Sequence, residues 1–222
     1  MAMISTMKEQ VYNTILRRII SLEYLPGQKI SEKDLGEELQ IGRTPIREAI
    51  LQLREEGLIT AIPQSGTYIS KINLQKAKDA RFMRESIETR IIQEAITKLT
   101  DYNFMILRQI IERQKLEADT SHNDMRFFEQ DEQFHHYFYT VAGREQVWNW
   151  LQMVNMQLNR FRVLRLRSKS LSWDALIDEH KQILEAARDK QTEKAVELLS
   201  SHLHRMIDEE PTLKKDYGEY FE

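Results

Sequence analysis

The chain has 222 residues, 41% hydrophobic and 30% charged, with 7 Gly, 4 Pro and a formal net charge of −3; this excludes collagen-like and disordered classes and suits a helix-rich protein of two domains, about 70 and about 150 residues long. It has no Cys, which excludes disulfides and thiolate metal sites, so any metal must be held by His and carboxylates. The opening stretch MAMISTMKEQVYNTILRRII has no apolar leader core and no run approaches a membrane span, which leads us to expect a cytoplasmic protein with no membrane partner.

Residues 8–22, KEQVYNTILRRIISL, place Val11, Ile15, Ile19 and Leu22 at helical spacing, and Pro26-Gly27 then signals a turn. Ser31 caps a second helix, EKDLGEELQI, with Asp34 in its first turn and Leu35 and Leu39 on one side. Residues 44–56 predict a third helix with Ile46, Ala49, Ile50 and Leu53 as its apolar stripe; Pro45 is tolerated because first-turn N–H groups lack an intrahelical partner. After Gly57, LITAI and TYISKI are β-branched runs joined by PQSG, which reads as a hairpin. Helix, helix–turn–helix, hairpin is the order of a winged helix-turn-helix.

Net charge describes only the mean field, and a local basic patch can bind phosphate on an acidic protein. Arg43 and Thr44 sit at the entrance of the third helix, and Arg47 lies one turn on, away from Ile46 and Ile50; Lys33, early in the preceding helix, is placed to reach a backbone phosphate. Guanidinium groups at a helix start suit guanine edges and phosphates in a major groove. The alternative is ordinary solvated surface charge.

From about Gln75 the pattern is helical to the end: AKDARFMRESIETRIIQEAITKL, TDYNFMILRQIIERQKLEA, MRFFEQDEQFHHYFYTVA stopped by Gly143, EQVWNWLQMVNMQLNRFRVLRLR as one long helix, SWDALIDEHKQILEAARDK capped by Ser172, and TEKAVELLSSHLHRMIDEE stopped before Pro211. The expected fold is mainly α: a winged helix-turn-helix with a small β-hairpin wing over 1–72, a linker over 73–78, and an all-α bundle of about six helices over 79–222.

Asp131 and His135 are four apart on one helix face, and His180 and His202 are spaced to face each other on two antiparallel helices. One carboxylate and three imidazoles converging in a bundle make an N₃O site for a divalent transition metal, with coordination positions left open. The alternative is an exposed Asp-x-x-x-His pair and an aromatic core segment, FHHYF. His136 and His204 point away from their neighbours and are expected at the surface or in structural roles. Arg160, Arg162, Arg165, Arg167 and Lys169 read as a solvated helix face; the other possibility turns Arg162 or Arg165 inward beside the metal. Phe134, Phe138, Trp148 and Trp150 read as core.

The stretch LPGQKISEKDLGEELQIGRTPIREAILQLREEGLITAIPQSGTYIS resembles the DNA-binding domain of GntR-family transcription regulators, through Pro26-Gly27, Leu35, Leu39, Arg43-Thr44-Pro45, Arg47-Glu48-Ala49, Leu53, Glu56-Gly57-Leu58 and Gly66. The resemblance implies that Arg43 and Arg47 contact base edges and phosphates, that Thr44 and Lys33 hold the backbone, and that Gly66 lets a wing tip enter the minor groove. Two positions depart from the pattern: Gly42 replaces the usual serine cap, and Lys33 stands where some members carry arginine. Residues 77–210 resemble the FCD effector domain of the FadR-like subfamily, through Arg84 with Glu88, Asp131 with Phe134-His135, Glu179-His180 with Ile183-Leu184, and His202-Leu203. This implies Asp131, His135, His180 and His202 as metal ligands and Arg84 as an effector contact; Arg162, if turned inward beside the metal, is a second candidate effector contact. The expected protein is a homodimeric, ligand-responsive regulator of double-stranded operator DNA, a repressor released by a small carboxylate effector at a Zn, Ni or Mn site, with no catalytic residue. A metal-dependent enzyme on the bundle, or a regulator with a purely structural metal, are the rival readings.

Overall fold

The computed structural model describes residues 6–222; residues 1–5, the start of the stretch read as lacking a leader, lie outside the described residues. It divides into two compact units, one running to Asn73 and including Tyr217–Glu222, the other Leu74–Asp216.

The first unit holds α1 (Met7–Ile20), β1 (Lys29–Ile30), α2 (Glu32–Leu39), α3 (Arg43–Glu55), β2 (Ile59–Ile62) and β3 (Gly66–Ile69). A capping box starts α1: the Thr6 hydroxyl accepts from Glu9 N–H at 3.2 Å and the Glu9 carboxylate accepts from Thr6 N–H at 2.8 Å. Ser31 caps α2 by accepting from Asp34 N–H at 3.0 Å. Gln40, in the left-handed conformation at φ 54°, ends α2 and turns the chain into α3. The stripe Ile46, Ala49, Ile50 and Leu53 is buried as α3 packs on α1, whose Val11, Ile15 and Ile19 are fully buried. Each large aliphatic side chain in this seam stabilises the unit by ~1.5–3 kcal/mol. Arg18 reaches the Tyr24 hydroxyl at 2.7 Å and pairs with Glu38, joining α1 to α2.

The sheet is antiparallel in the order β1-β3-β2, with Lys29 opposite Tyr68 and Ala61 opposite Thr67. The hairpin of β2 and β3 matches the sequence reading; β1, two residues long, was not expected. Beyond β3, Ile72 N–H donates to the Tyr220 carbonyl at 2.7 Å and the Asn73 amide to the Glu222 carboxylate at 2.8 Å, so the final residues pair with the segment that precedes the second unit.

The second unit holds α4 (Leu74–Ile96), α5 (Asp101–Asp119), α6 (Asp124–Ala142), α7 (Glu145–Val154), α8 (Met156–Arg167), α9 (Trp173–Arg188) and most of α10 (Thr192–Tyr217). Four expectations are corrected here. Residues 74–78, read as linker, are the first turns of α4. The long helix expected over 145–167 divides at Asn155, a poor helix former whose backbone (φ −79°, ψ −1°) both ends α7 and starts α8. Pro211 does not stop the last helix: it removes one N–H, but Leu213 beyond it is fully buried and the helix continues. Ser172 precedes α9 without making a side-chain capping bond.

Helix α8 is the centre of the bundle, with nine of its twelve residues buried, including Arg160 and Arg165. The solvated-face reading of that arginine cluster is therefore wrong for these two. Phe127, Phe134, Phe161 and Tyr139 are the largest apolar groups of the core, and Trp148 joins them. Trp150 is 60% exposed, against expectation, because it lies on the outer face of the amphipathic α7. No helix among the described residues is long and apolar enough to cross a membrane.

Candidate functional site

Two places in the molecule gather functional side chains. In the first unit, burying one face of α3 turns the other outward, so Arg43, Thr44 and Arg47 are exposed together at its start. Gly42 provides no side-chain cap, which leaves the first-turn N–H groups of α3 open to an anion. Lys33 is exposed near the start of α2, 3.7 Å from Glu37. Gly66 closes the hairpin at φ +142°, and a Cβ there would lie 2.6 Å from Lys29 Cε. Lys29 thus stands beside the wing, over the Tyr68 ring, and adds a cation that the sequence did not point to because β1 pairs with β3 from far along the chain.

In the second unit, α6 presents Asp131 and His135 on one face, α9 contributes His180 and α10 contributes His202; the four offer donor atoms all within 4.8 Å of one another and all are buried. His202 Nε2 lies 3.3 Å from both His135 Nε2 and His180 Nε2. Asp131 Oδ1 is 3.6 Å from His180 Nε2, and its Oδ2 is 3.9 Å from His135 Nε2.

The other ring nitrogens explain this orientation. His135 Nδ1 lies 2.7 Å from Glu88 Oε2 on α4, His180 Nδ1 2.9 Å from Gln114 Oε1 on α5, and His202 Nδ1 2.8 Å from Glu179 Oε2 on α9. Each of these oxygens is an acceptor, so each Nδ1 carries the proton and each Nε2 turns a lone pair inward. Burial pushes the pKa of His135 down and that of His180 well down, His202 adding to the second, so both rings stay neutral. Lone pairs converging on one point repel one another unless a proton or a metal cation sits among them. Two nitrogens on one metal at ~2.0–2.1 Å, 90–109° apart, are ~2.9–3.4 Å from each other, and the observed 3.3 Å falls in that range. The donor set fits a divalent transition metal.

The carboxylates match. Burial alone would raise Asp131, but the Arg162 guanidinium holds it well below the usual range. Burial also opposes ionisation of Glu88, which Arg84 and His135 nevertheless hold down to about 2. Glu179 is likewise held to about 2 by His202 and Arg205 against burial. Glu88 and Glu179 were legible only as motif letters, and Gln114 was missed altogether, since it lies 66 positions from the ring it orients.

Beside the cluster is a cavity of about 70 Å³, bounded by Asp131 and His202 at one side and walled by Phe127, Phe128, Phe161 and Leu176. Arg84, only 2% exposed, lines it; its Nε is 2.5 Å from Glu88 Oε1, while its Nη2 is buried without a partner. Arg162 also lines it, paired with Asp131, 2.6 Å from Glu132 Oε1, and packed over the Phe128 ring. Both residues named from sequence are therefore at the cavity, as are Arg81, Arg165 and Arg205. His136, stacked on Trp148 and 2.6 Å from Glu145, and the exposed His204 stand apart from the cluster, as their positions on the helices predicted.

Two protein-family models match the chain: the FCD domain over residues 79–205 and the bacterial regulatory proteins, gntR family, over residues 7–69. Among curated relatives, the HTH-type transcriptional repressor RspR of Escherichia coli (strain K12) is 25% identical over 213 residues, covering 96% of this chain and 92% of the relative. The Nta operon transcriptional regulator of Aminobacter aminovorans is 23% identical over 190 residues, covering 86% and 88%. Among solved structures, E. coli McbR/YncC superposes with a TM-score of 0.77 at 17% identity, covering 96% of this chain and all of that one, which establishes a shared fold.

Proposed function

The chain belongs to the GntR family of bacterial regulatory proteins and carries an FCD domain as its larger part, and from that premise we propose that it is a repressor whose hold on operator DNA is released by a small organic acid bound at a metal site in the second unit. It is a DNA-binding transcription regulator and not an enzyme: both matched domains and the relatives above are regulators.

For the first unit we assign Arg43 and Arg47 to base edges and phosphates, Thr44 and Lys33 to the phosphate backbone, and Gly66 to the close approach of the wing. The exposed, unpaired guanidinium groups at an uncapped helix start support this. Family members typically dimerise, and two recognition helices on a two-fold operator multiply specificity, so the acting form is a homodimer.

The observation that carries the sensing half is the convergence of three imidazoles and Asp131 beside a cavity where Arg84 keeps a buried N–H unpaired. Asp131, His135, His180 and His202 would hold Zn²⁺, Ni²⁺ or Mn²⁺. The bound metal supplies a Lewis-acid position for a carboxylate oxygen. Arg84 receives the acid's other oxygen, Arg162 keeps Asp131 ionised, and the phenylalanine wall excludes water from the pair. Helix α4, which carries Arg84, begins directly after Ile72; α10, which carries His202, runs into the residues that pair with Ile72. Ordering both helices biases the segment 70–79, and a coupling of ~1–3 kcal/mol changes operator affinity 5–150-fold.

A thermal-shift panel of carboxylic acids on the metal-loaded protein tests this. Stabilisation by an acid that disappears in metal-stripped protein and in Asp131→Ala is the expected result; stabilisation that persists in both places the acid elsewhere and makes the metal structural.

A further inference from the structure

The cavity has a second cationic end that the contact at Arg84 leaves unused. Arg165 on α8 is 4% exposed and lines the cavity. Its Nε and Nη2 bond Glu209 at 2.9 and 3.0 Å, and Nη2 also donates to the Ser172 carbonyl at 2.7 Å, which fixes the guanidinium plane. Its Nη1 is buried with no partner. A buried, unpaired guanidinium N–H costs stability unless something else accepts from it. The adjoining wall offers no spare anion: Arg205 shares Glu209 and takes Glu179, and Arg81 takes Glu85.

Glu209, which holds Arg165, lies seven residues beyond His202 on α10, a rise of roughly 10 Å. Phe127, Phe128 and Leu176 are part of the same wall and carry no polar group. The volume of about 70 Å³ equals that of roughly five to seven waters. Two buried, unpartnered guanidinium N–H groups, Arg84 Nη2 and Arg165 Nη1, therefore belong to the lining of one short, partly apolar cavity. Two such groups on one cavity match a short acid with a carboxylate at each terminus.

We propose that the effector is a diacid: one carboxylate at the metal side with Arg84, the other on Arg165 Nη1, and a short spacer against the phenylalanine wall. This rests on reading the cavity as the acid site. The second carboxylate replaces the missing acceptor of Arg165 and neutralises a cation that Glu209 shares with Arg205.

Isothermal titration calorimetry on the metal-loaded full chain, with succinate, glutarate and adipate set against butyrate, valerate and hexanoate, tests it. The best diacid is expected to bind about ten- to hundredfold more tightly than the monoacid of equal length, the value of one charged hydrogen bond. Arg165→Met should bring the diacid to the monoacid level and leave the monoacid within about twofold. Equal binding of the two series by the unsubstituted protein, a comparison that needs no variant to fold, overturns the diacid proposal alone, as does an equal loss for both series in Arg165→Met. Failure of every acid in both series to bind overturns the acid-site reading and this proposal together.

Discussion

His135 and His202 bring their Nε2 atoms to 3.3 Å of each other from two different helices, while their Nδ1 atoms lie against Glu88 and Glu179. The two carboxylates hold the rings so that the lone pairs meet. Without a cation this arrangement is unfavourable, and its dependence on metal can be measured.

Metal should stabilise the folded chain. At metal concentrations 100-fold above Kd, linkage adds ~2.7 kcal/mol, which for a protein of this length raises Tm by ~5–10 °C. His180→Ala and His202→Ala should lose both the shift and the bound metal measured by elemental analysis, while far-UV circular dichroism stays helical. A metal-induced rise in Tm retained by both variants would contradict the four-residue site.

Gln114 belongs neither to the cavity lining nor to the donor cluster; its Oε1 accepts from His180 Nδ1–H. Gln114→Leu should therefore weaken metal affinity ~10–100-fold through loss of ring orientation, read by chelator competition. Unchanged affinity would show that His180 needs no such partner.

On the DNA side, Arg47→Ala should cost operator binding ~1–3 kcal/mol with little effect on random duplex, whereas Lys33→Ala should weaken both about equally and reduce the salt slope by about 1. Equal losses on both duplexes for Arg47→Ala would reassign Arg47 to phosphate.

Gly66→Ala probes the wing. The φ of +142° is unfavourable for any residue with a Cβ, and the nearest atom, Lys29 Cε, can swing aside. The cost is thus mainly backbone strain, ~1–3 kcal/mol, seen as a lower Tm or as a loss of operator affinity if the hairpin reshapes instead. No change in either would mean that the turn relaxes freely.

Much of this was legible because it is local. Ser31, the α3 stripe and the PQSG turn announce their elements within a few residues. Asp131 and His135 share a face by helical period alone. What stayed hidden depends on distant partners. Nothing within KI at 29–30 marks β1, whose pairing comes from Tyr68 and Thr67. Arg160 and Arg165 look like surface charge until α8 is seen to run through the bundle, where Glu209, 44 residues away, meets Arg165. Pro211 is a valid stop signal in isolation, and the burial of Leu213 overrides it. The break at Asn155 separates an amphipathic α7, which buries Trp148 and Leu151, from an α8 buried on nearly every side, a change that a single periodicity cannot express.

An acid at the metal site is expected to control DNA binding. Operator affinity by fluorescence anisotropy, with and without the tightest-binding acid of the panel, tests it on three samples: metal-loaded protein, metal-stripped protein and metal-treated Asp131→Ala. The acid should weaken operator binding at least about fivefold in the first and leave the other two unchanged. An equal response in all three, or none in the metal-loaded protein, would contradict it.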